Sequence, residues 1–574
     1  MTRTALVLFK SELPKRSPAW WSQFDTLIAP IALESEAKKR RLAFESLESL
    51  VDAGSIQEAA AFLSELAQIS YPNGVRVSES VTYQGYELWW LQYDELYYRQ
   101  CLPYTKYRRL MTHLLAFSHV TLCTPPSSPL FHAFLGSRGA NYKIEGGARS
   151  FPSLGIWLQV FISLVSWPLL VIKRPSVLLY TGDLFDPPRD HSFRMRFIYE
   201  ELYRRKISFV EFIRSMEPAK TMISHALVRR RPVLYSYAIK VVISWLAGGR
   251  SDDTKSVMGS ADTDHAFKLA LASTYVRNVR GVRWSIRVMN FLIRSIGIRA
   301  ALIPAASSRT GHEVLGCKIA GIPTIGVLHG AASRYYNVYD FMPEFRGEKR
   351  ISLDLYGMWS KWWRDYYVAS GKAYGPEQLV VSGPMRPMRA GSVVRPSRSG
   401  GSVKVLFVSE QLAEPSEVLP YLSALLDDSR VEVYLTFRSY RDGFEDWLKV
   451  YHPEILKKVN EKNIIRTGIQ DAIGRADVVV GSHSTAVLEA LFQMRPIVFF
   501  NTRKWGDYFG LESLNERYGI FANDPKQLVK FAIESEQAPQ STLEELTEMF
   551  FGDPHKNGSA WVVDEIEKRI RVKV

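Results

Sequence analysis

Cysteine is scarce in this chain. Its 574 residues carry three, Cys101, Cys123 and Cys317, too widely spaced to form a CxxC pair. That spacing argues against a disulfide framework or a cysteine-based metal site, and it suits a reducing compartment. Other absences narrow the chemistry. The sequence has no phosphate loop of the G-x-x-x-x-G-K-[ST] type, no dinucleotide-binding G-x-G-x-x-G, no zinc pattern and no G-x-S-x-G nucleophile elbow. No repeat of solenoid period is visible. Acidic residues are the minority charge: 59 Asp and Glu against 73 Lys and Arg give a formal net charge of +14. Such a surplus implies an anionic partner, whether nucleic acid, an acidic membrane face or a phosphorylated substrate. The basic residues are scattered and not interleaved with aromatics, which argues against nucleic acid.

Long uncharged runs are also rare. The N-terminal apolar run is too short for a signal peptide and reads as a first strand, Ala5 to Phe9. One longer run stands out, LGIWLQVFISLVSWPLLVI at 154–172, followed by Lys173 and Arg174. Its length is near the lower limit for crossing a bilayer. Gln159, two serines and Pro168 weaken a spanning reading. A helix packed in the core, or one lying at an anionic membrane surface with Trp157 and Trp167 as anchors, fits as well.

What is present describes a folded protein: 46% hydrophobic, 12% aromatic and 23% charged, long enough for two or more domains. From residue 175, apolar runs of strand length alternate with helical patterns, the signature of a parallel sheet with crossover helices. SVLLYTGD (176–183), ISFVEFIRS, AALIPAASS (300–308) and IPTIGVLHG (322–330) read as strands. HVTLCTPPSSP and ANYKIEG are expected to add strands to the same sheet, and the first 175 residues are otherwise read as helix-rich. A Gly-, Ser-, Arg- and Pro-rich stretch at 386–402 has linker composition. After it a second alternating series begins with VKVLFVSEQ (403–411). The fold expected is α/β, with two doubly wound Rossmann-like domains, 1–385 and 403–574, facing a cleft. Ligands in such sheets bind beyond the carboxyl ends of the strands.

Chemistry concentrates in ADVVVGSHSTAVLEALFQMRPIVFF, residues 476–500. The strand should end at Gly481, and Ser482, His483, Ser484 and Thr485 should turn into a helix. Free N–H groups there would face a phosphate, unless Ser484 is simply an N-cap. Glu489 lies four residues after Thr485, on the same helical face, among apolar neighbours. A capping box would need the acid at Val487. An unpaired carboxylate in such surroundings is costly, so Glu489 should be satisfied by ligand hydroxyls or by a structural bond. Arg438 ends a strand on the cleft side, where it could neutralise phosphate. Ser409, Glu410 and Gln411 end another, and Asn501 follows RPIVFF. On the facing domain His329 ends a strand ahead of Gly330, placed to act as a base or a donor. Glu313, in SSRTGHEVLG, and Asp183 with Asp186 are further carboxylates at strand ends. Arg189 is close enough in sequence to neutralise the aspartates.

The turn, the Glu-Ala-Leu that follows it and the subsequent Arg-Pro-Ile-Val resemble the nucleotide-sugar half of two-domain (GT-B) glycosyltransferases. The likeness runs through AGIPTIGVLHG, VVSGPMRP and SHSTAVLEALFQMRPIVFF. It points to the bacterial surface-polysaccharide group, itself similar to the glycerophosphotransferases of teichoic acid synthesis. The resemblance implies metal-independent transfer from a nucleotide-sugar donor to a glycan or lipid-linked acceptor, with no cofactor. It gives Ser482, Ser484 and Thr485 diphosphate contacts, Glu489 the donor ribose and His329 the reaction centre. The cysteine usage, the basic surplus and the 154–172 segment together point to a cytoplasmic enzyme, peripheral on the inner face of the plasma membrane. The turn lacks the family's Gly-Gly pair, and TFRSYRDG (436–443) replaces a Lys-x-His-Pro run.

Overall fold

In this computed structural model, residues 3–571 are described except 11, 52–55, 126–127, 146–151, 184–189, 248–262, 278, 389–400, 410–412 and 438–442. The amino-terminal part holds a sheet of its own. Strands β1 (Thr4–Leu8), β2 (Thr26–Ala29) and β3 (Ala43–Ser46) precede a small hairpin, β4 (Thr82–Tyr83) and β5 (Tyr86–Glu87). Strands β6 (His119–Cys123) and β7 (Tyr142–Glu145) follow. The five longer strands form one sheet in the order β3-β2-β1-β6-β7, parallel throughout. HVTLC and YKIE are therefore strands, as expected, but they pair with β1 here and not with the strands beyond residue 175.

The second sheet is built from β8 (Val177–Gly182), β9 (Phe209–Arg214), β10 (Val233–Leu234), β11 (Ala300–Leu302), β12 (Thr324–Val327), β13 (Leu355–Met358) and β14 (Leu379–Val381). Its order is β10-β9-β8-β11-β12-β13-β14. The third contains β15 (Val403–Val408), β16 (Val431–Thr436), β17 (Ile464–Ile465), β18 (Val478–Gly481), β19 (Ile497–Phe500) and β20 (Phe521–Ala522), ordered β17-β16-β15-β18-β19-β20. All pairs in both sheets are parallel. Central strands such as VLLYT and VVVG are buried along their length because helices cover both faces. This is a doubly wound α/β fold. The strand order reverses between β8 and β11 and again between β15 and β18, and such points open ligand crevices at the carboxyl ends.

Two helices tie these layers together. Gly558–Arg571, at the end of the described chain, returns to the second sheet. Its Val562, Val563 and Ile566 are fully buried with Val177, Leu302 and Ile325. The apolar run forms one helix, Leu154–Lys173, with Pro168 inside it. Ile156, Val160 and Ile162 pack against a cluster of Ile213, Met222, Val233, Tyr235 and Ala238 at the edge of the second sheet.

Candidate functional site

Ser409 and Ser482 follow β15 and β18, the two strands at the reversal of the third sheet. Both are buried, and both line one hollow with Val408, Ala413, Phe444 and Phe500. Glu410, Gln411 and Arg438, also expected here, lie outside the described residues.

The turn after β18 is more self-contained than the sequence suggests. Ser484 is the N-cap, its Oγ accepting the Ala486 N–H at 3.2 Å. The Val487 N–H donates to the Ser484 carbonyl at 3.0 Å. Two of the N–H groups expected to face a phosphate are therefore occupied. The α-helix runs only Thr485–Leu488 and then tightens into a 3-10 turn, Glu489–Gln493. His483 is buried, with its ring 5.0 Å from that of Tyr508 and its Nε2 3.2 Å from Thr502 Oγ1.

Thr485 reaches the opposite wall. Its Oγ1 accepts the Ala331 N–H at 3.0 Å. A Cβ placed on Gly330 would lie 3.6 Å from the same oxygen. The loop beyond β12 thus meets the turn beyond β18, and His329 stands beside that contact. His329 is open to solvent at the cleft yet walled by protein on its other sides. That loss of surrounding water, with the nearby Arg194 charge, pulls its imidazole down to about 4. A second bridge is aromatic: Tyr336 lies 6.2 Å from Trp505 and 6.3 Å from Tyr508, ring to ring.

Glu489 is satisfied by protein groups. Its Oε2 accepts from Arg386 Nη1 at 2.9 Å and from Gln470 Nε2 at 2.8 Å. The side chain is 22% exposed. Burial raises its carboxyl pKa, and Arg386 opposes the shift. Arg386 comes from the segment after β14, so this ion pair also joins the two halves. The sequence reading passed over both partners. Gln470 gave no signal, whereas Arg386 sits in the quoted VVSGPMRP motif.

The remaining carboxylates are enclosed. Glu313 stands in the first turn of helix Gly311–Ile319, fully buried and paired with Lys240 Nζ at 2.8 Å, and so is no surface acid. Asp183 is also buried. It accepts from Ser215 Oγ at 2.8 Å and pairs with Arg229 at 2.8 Å, with His225 Nδ1 at 3.2 Å. Arg229 thus supplies the neutralising charge expected of Arg189, which lies outside the described residues, as does Asp186. Asn501 Nδ2 donates to Asn523 Oδ1 at 3.2 Å at the end of β19. The sequence does hold an Asp-x-Asp triplet, Asp262–Thr263–Asp264. Asp262 lies outside the described residues, and Asp264 pairs with Lys268 at 3.2 Å. Among the described residues no cluster of three or more His, Cys, Asp or Glu is arranged to hold a metal ion.

No family model matches this chain. No curated protein matches it either. Solved structures do match, at low identity. A glycosyltransferase from Rickettsia africae is 9% identical with a TM-score of 0.40, covering 69% of this chain and 99% of its own. The glycotransferase of kitacinnamycin is 13% identical with a TM-score of 0.42, covering 69% and 98%. The UDP complex of S. aureus MnaA is 10% identical with a TM-score of 0.39, covering 69% and 97%.

Proposed function

We propose that this chain is a GT-B-type glycosyltransferase. It moves a sugar from a nucleotide-sugar donor to a glycan or lipid-linked glycan acceptor in surface-polysaccharide synthesis. The observation that carries the reading is the meeting of two strand ends. His329 stands on one wall, Thr485 and Glu489 on the other, and the Ala331–Thr485 bond holds the walls together.

On this reading the donor's nucleoside diphosphate lies along the third sheet, over Ser409, Ser482 and Thr485. The ribose hydroxyls donate to Glu489. Arg386, released from full pairing with that carboxylate, turns to the diphosphate and stabilises the charge that develops as the sugar leaves. His329 is neutral at physiological pH because its imidazole is held low. It therefore suits proton acceptance from the acceptor hydroxyl better than donation to the leaving phosphate. No metal is required for these steps. Three free, buried cysteines suit a cytoplasmic setting.

Calorimetry with a panel of nucleotide sugars, with and without chelator, tests the reading. Binding of one donor that survives chelation and is followed by sugar transfer supports it. Preference for an activated polyol phosphate would make the chain a glycerophosphotransferase-like enzyme, for which the His329–Gly330 pair also speaks. No binding by any donor would leave a non-catalytic role.

A further inference from the structure

The 154–173 helix is turned inside out. Its polar residues face the protein: Gln159 and Ser163 are 3% and 2% exposed, and Ser166 is also buried. Ser163 Oγ accepts the Tyr235 N–H at 2.9 Å and donates to the Gln159 carbonyl at 2.8 Å. The greasy residues face outward, with Leu154 at 84%, Phe161 at 63%, Leu164 at 62% and Ile172 at 78% exposed. Water is a poor medium for such a face, and scattered single residues would not need explaining. These are not scattered. Trp157 meets Trp245, at the end of helix Ser236–Leu246, at 6.1 Å, and Trp167 meets Phe291 of helix Val279–Ile296 at 5.5 Å. Three helices therefore share one apolar surface.

Its margin is basic. Helix Val279–Ile296 has no acidic residue and presents Arg280, Arg283, Arg287 and Arg294 outward beside the exposed Trp284 and Phe291. Among the described residues these arginines are not paired with carboxylates; Arg283 and Arg294 reach carbonyls of Thr82 and Ile319. Lys173 and Arg174 close the end of the long helix. The sequence reading saw no aromatic-interleaved basic stripe. This one emerges because helical spacing brings Arg280, Trp284, Arg287 and Phe291 onto one side.

We infer that this three-helix face docks the protein on an anionic lipid bilayer. The 154–173 helix lies in the interfacial plane over its length of roughly 30 Å, and the arginines contact lipid phosphates. Tryptophan at the rim of an apolar face and cations beside it are what an interface of this kind selects. A transmembrane placement would strip the helix from Tyr235 and from the apolar cluster it covers. A symmetric second copy would bring the same arginine row against itself. A nucleic acid would leave the apolar face uncovered. The inference stands apart from the reaction assigned above.

Flotation of the full chain with phosphatidylcholine vesicles, with or without about 30% phosphatidylglycerol, tests it. The expected result is flotation with the anionic vesicles only, weakened by salt. Phe161→Glu with Leu164→Glu should abolish flotation while leaving the thermal unfolding midpoint unchanged, since both side chains are exposed. Arg280→Ser with Arg287→Ser should weaken it on the order of tenfold and decides the matter if the first variant fails to fold. Equal flotation of wild type and both variants would overturn the inference. So would retention through carbonate extraction, which marks a span. A dimer seen by light scattering, lost in the Phe161 and Leu164 variant and accompanied by no vesicle binding, would assign the face to a second copy instead.

Discussion

Glu489 and Arg386 share an ion pair that serves two readings, and a substitution tells them apart. If the carboxylate holds the donor ribose, Glu489→Ala should weaken donor binding by about 1.5–3 kcal/mol for each hydrogen bond lost. The melting temperature should change little. Calorimetry and thermal unfolding on the same variant settle the matter, since unchanged affinity with a lowered melting temperature would make the pair structural. His329 answers to a different measurement. His329→Ala should slow single-turnover transfer by roughly 10²–10⁴-fold while donor affinity stays nearly intact. In the wild type, the base form persists to acidic pH because the imidazole is held at about 4. The rate should therefore hold as pH falls past the ordinary histidine range and drop only near that value. An acid limb that persists unchanged in His329→Ala would take His329 out of the base role.

At the scale of single elements, β12 carries the most constraint because it aims the His329 loop. Gly326 sits in its middle, where a Cβ would lie 2.3 Å from the Ile303 carbonyl oxygen and 2.6 Å from Leu353 Cδ1. Gly326→Ala should cost at least about 1–3 kcal/mol through overpacking, read as a lower urea midpoint. Elements of this kind were legible from the chain: VLLYT, TIGV, VKVLFV and VVVG are apolar, β-branched and bounded by turn residues. The first sheet was harder to see. TLIA and AFES are four residues each, too short for periodicity to separate strand from helix, and the helices beside them, Pro18–Trp21 and Glu34–Lys39, are short as well. The site divided in the same way. The turn, Glu489 and the His329–Gly330 pair announce themselves locally. The ion-pair partner of Glu489, Arg386, lies 103 positions away, and chain assembly, not local pattern, puts it there. The burial of Glu313 against Lys240 depends likewise on the packing of two helices.

Across the whole molecule, burial of ionisable groups makes stability depend on pH. Asp340 is buried and accepts from Tyr367 at 3.2 Å and Tyr374 at 3.3 Å, and burial raises its carboxyl to about 7. Its folded pKa is above the unfolded value of 3.8. The folded state therefore holds its proton more tightly. The stabilisation is fully present below 3.8, declines as pH rises and is gone above about 7. Asp340→Asn removes that titration. Its melting temperature relative to wild type should be higher at pH 8 than at pH 4.5, and a difference that does not change with pH would mean that Asp340 is ionised throughout in the fold.

The returning helix, Gly558–Arg571, has a consequence for biosynthesis. The second sheet finishes at Val381, yet the face it shares with helix Arg196–Arg204 stays only partly covered until residues almost two hundred positions later have been translated. Ser559 Oγ on the Met385 carbonyl at 2.6 Å, and Arg205 on Asp564, are contacts that no nascent fragment possesses. The third sheet, whose strands lie wholly between Val403 and Ala522, faces no such delay in its strand pairing. The third sheet should therefore complete its strand pairing during synthesis while the second still waits for this helix. During that interval the part of the surface over Val177, Leu179, Ala300 and Leu302 that Val562, Val563 and Ile566 cover stays open to water.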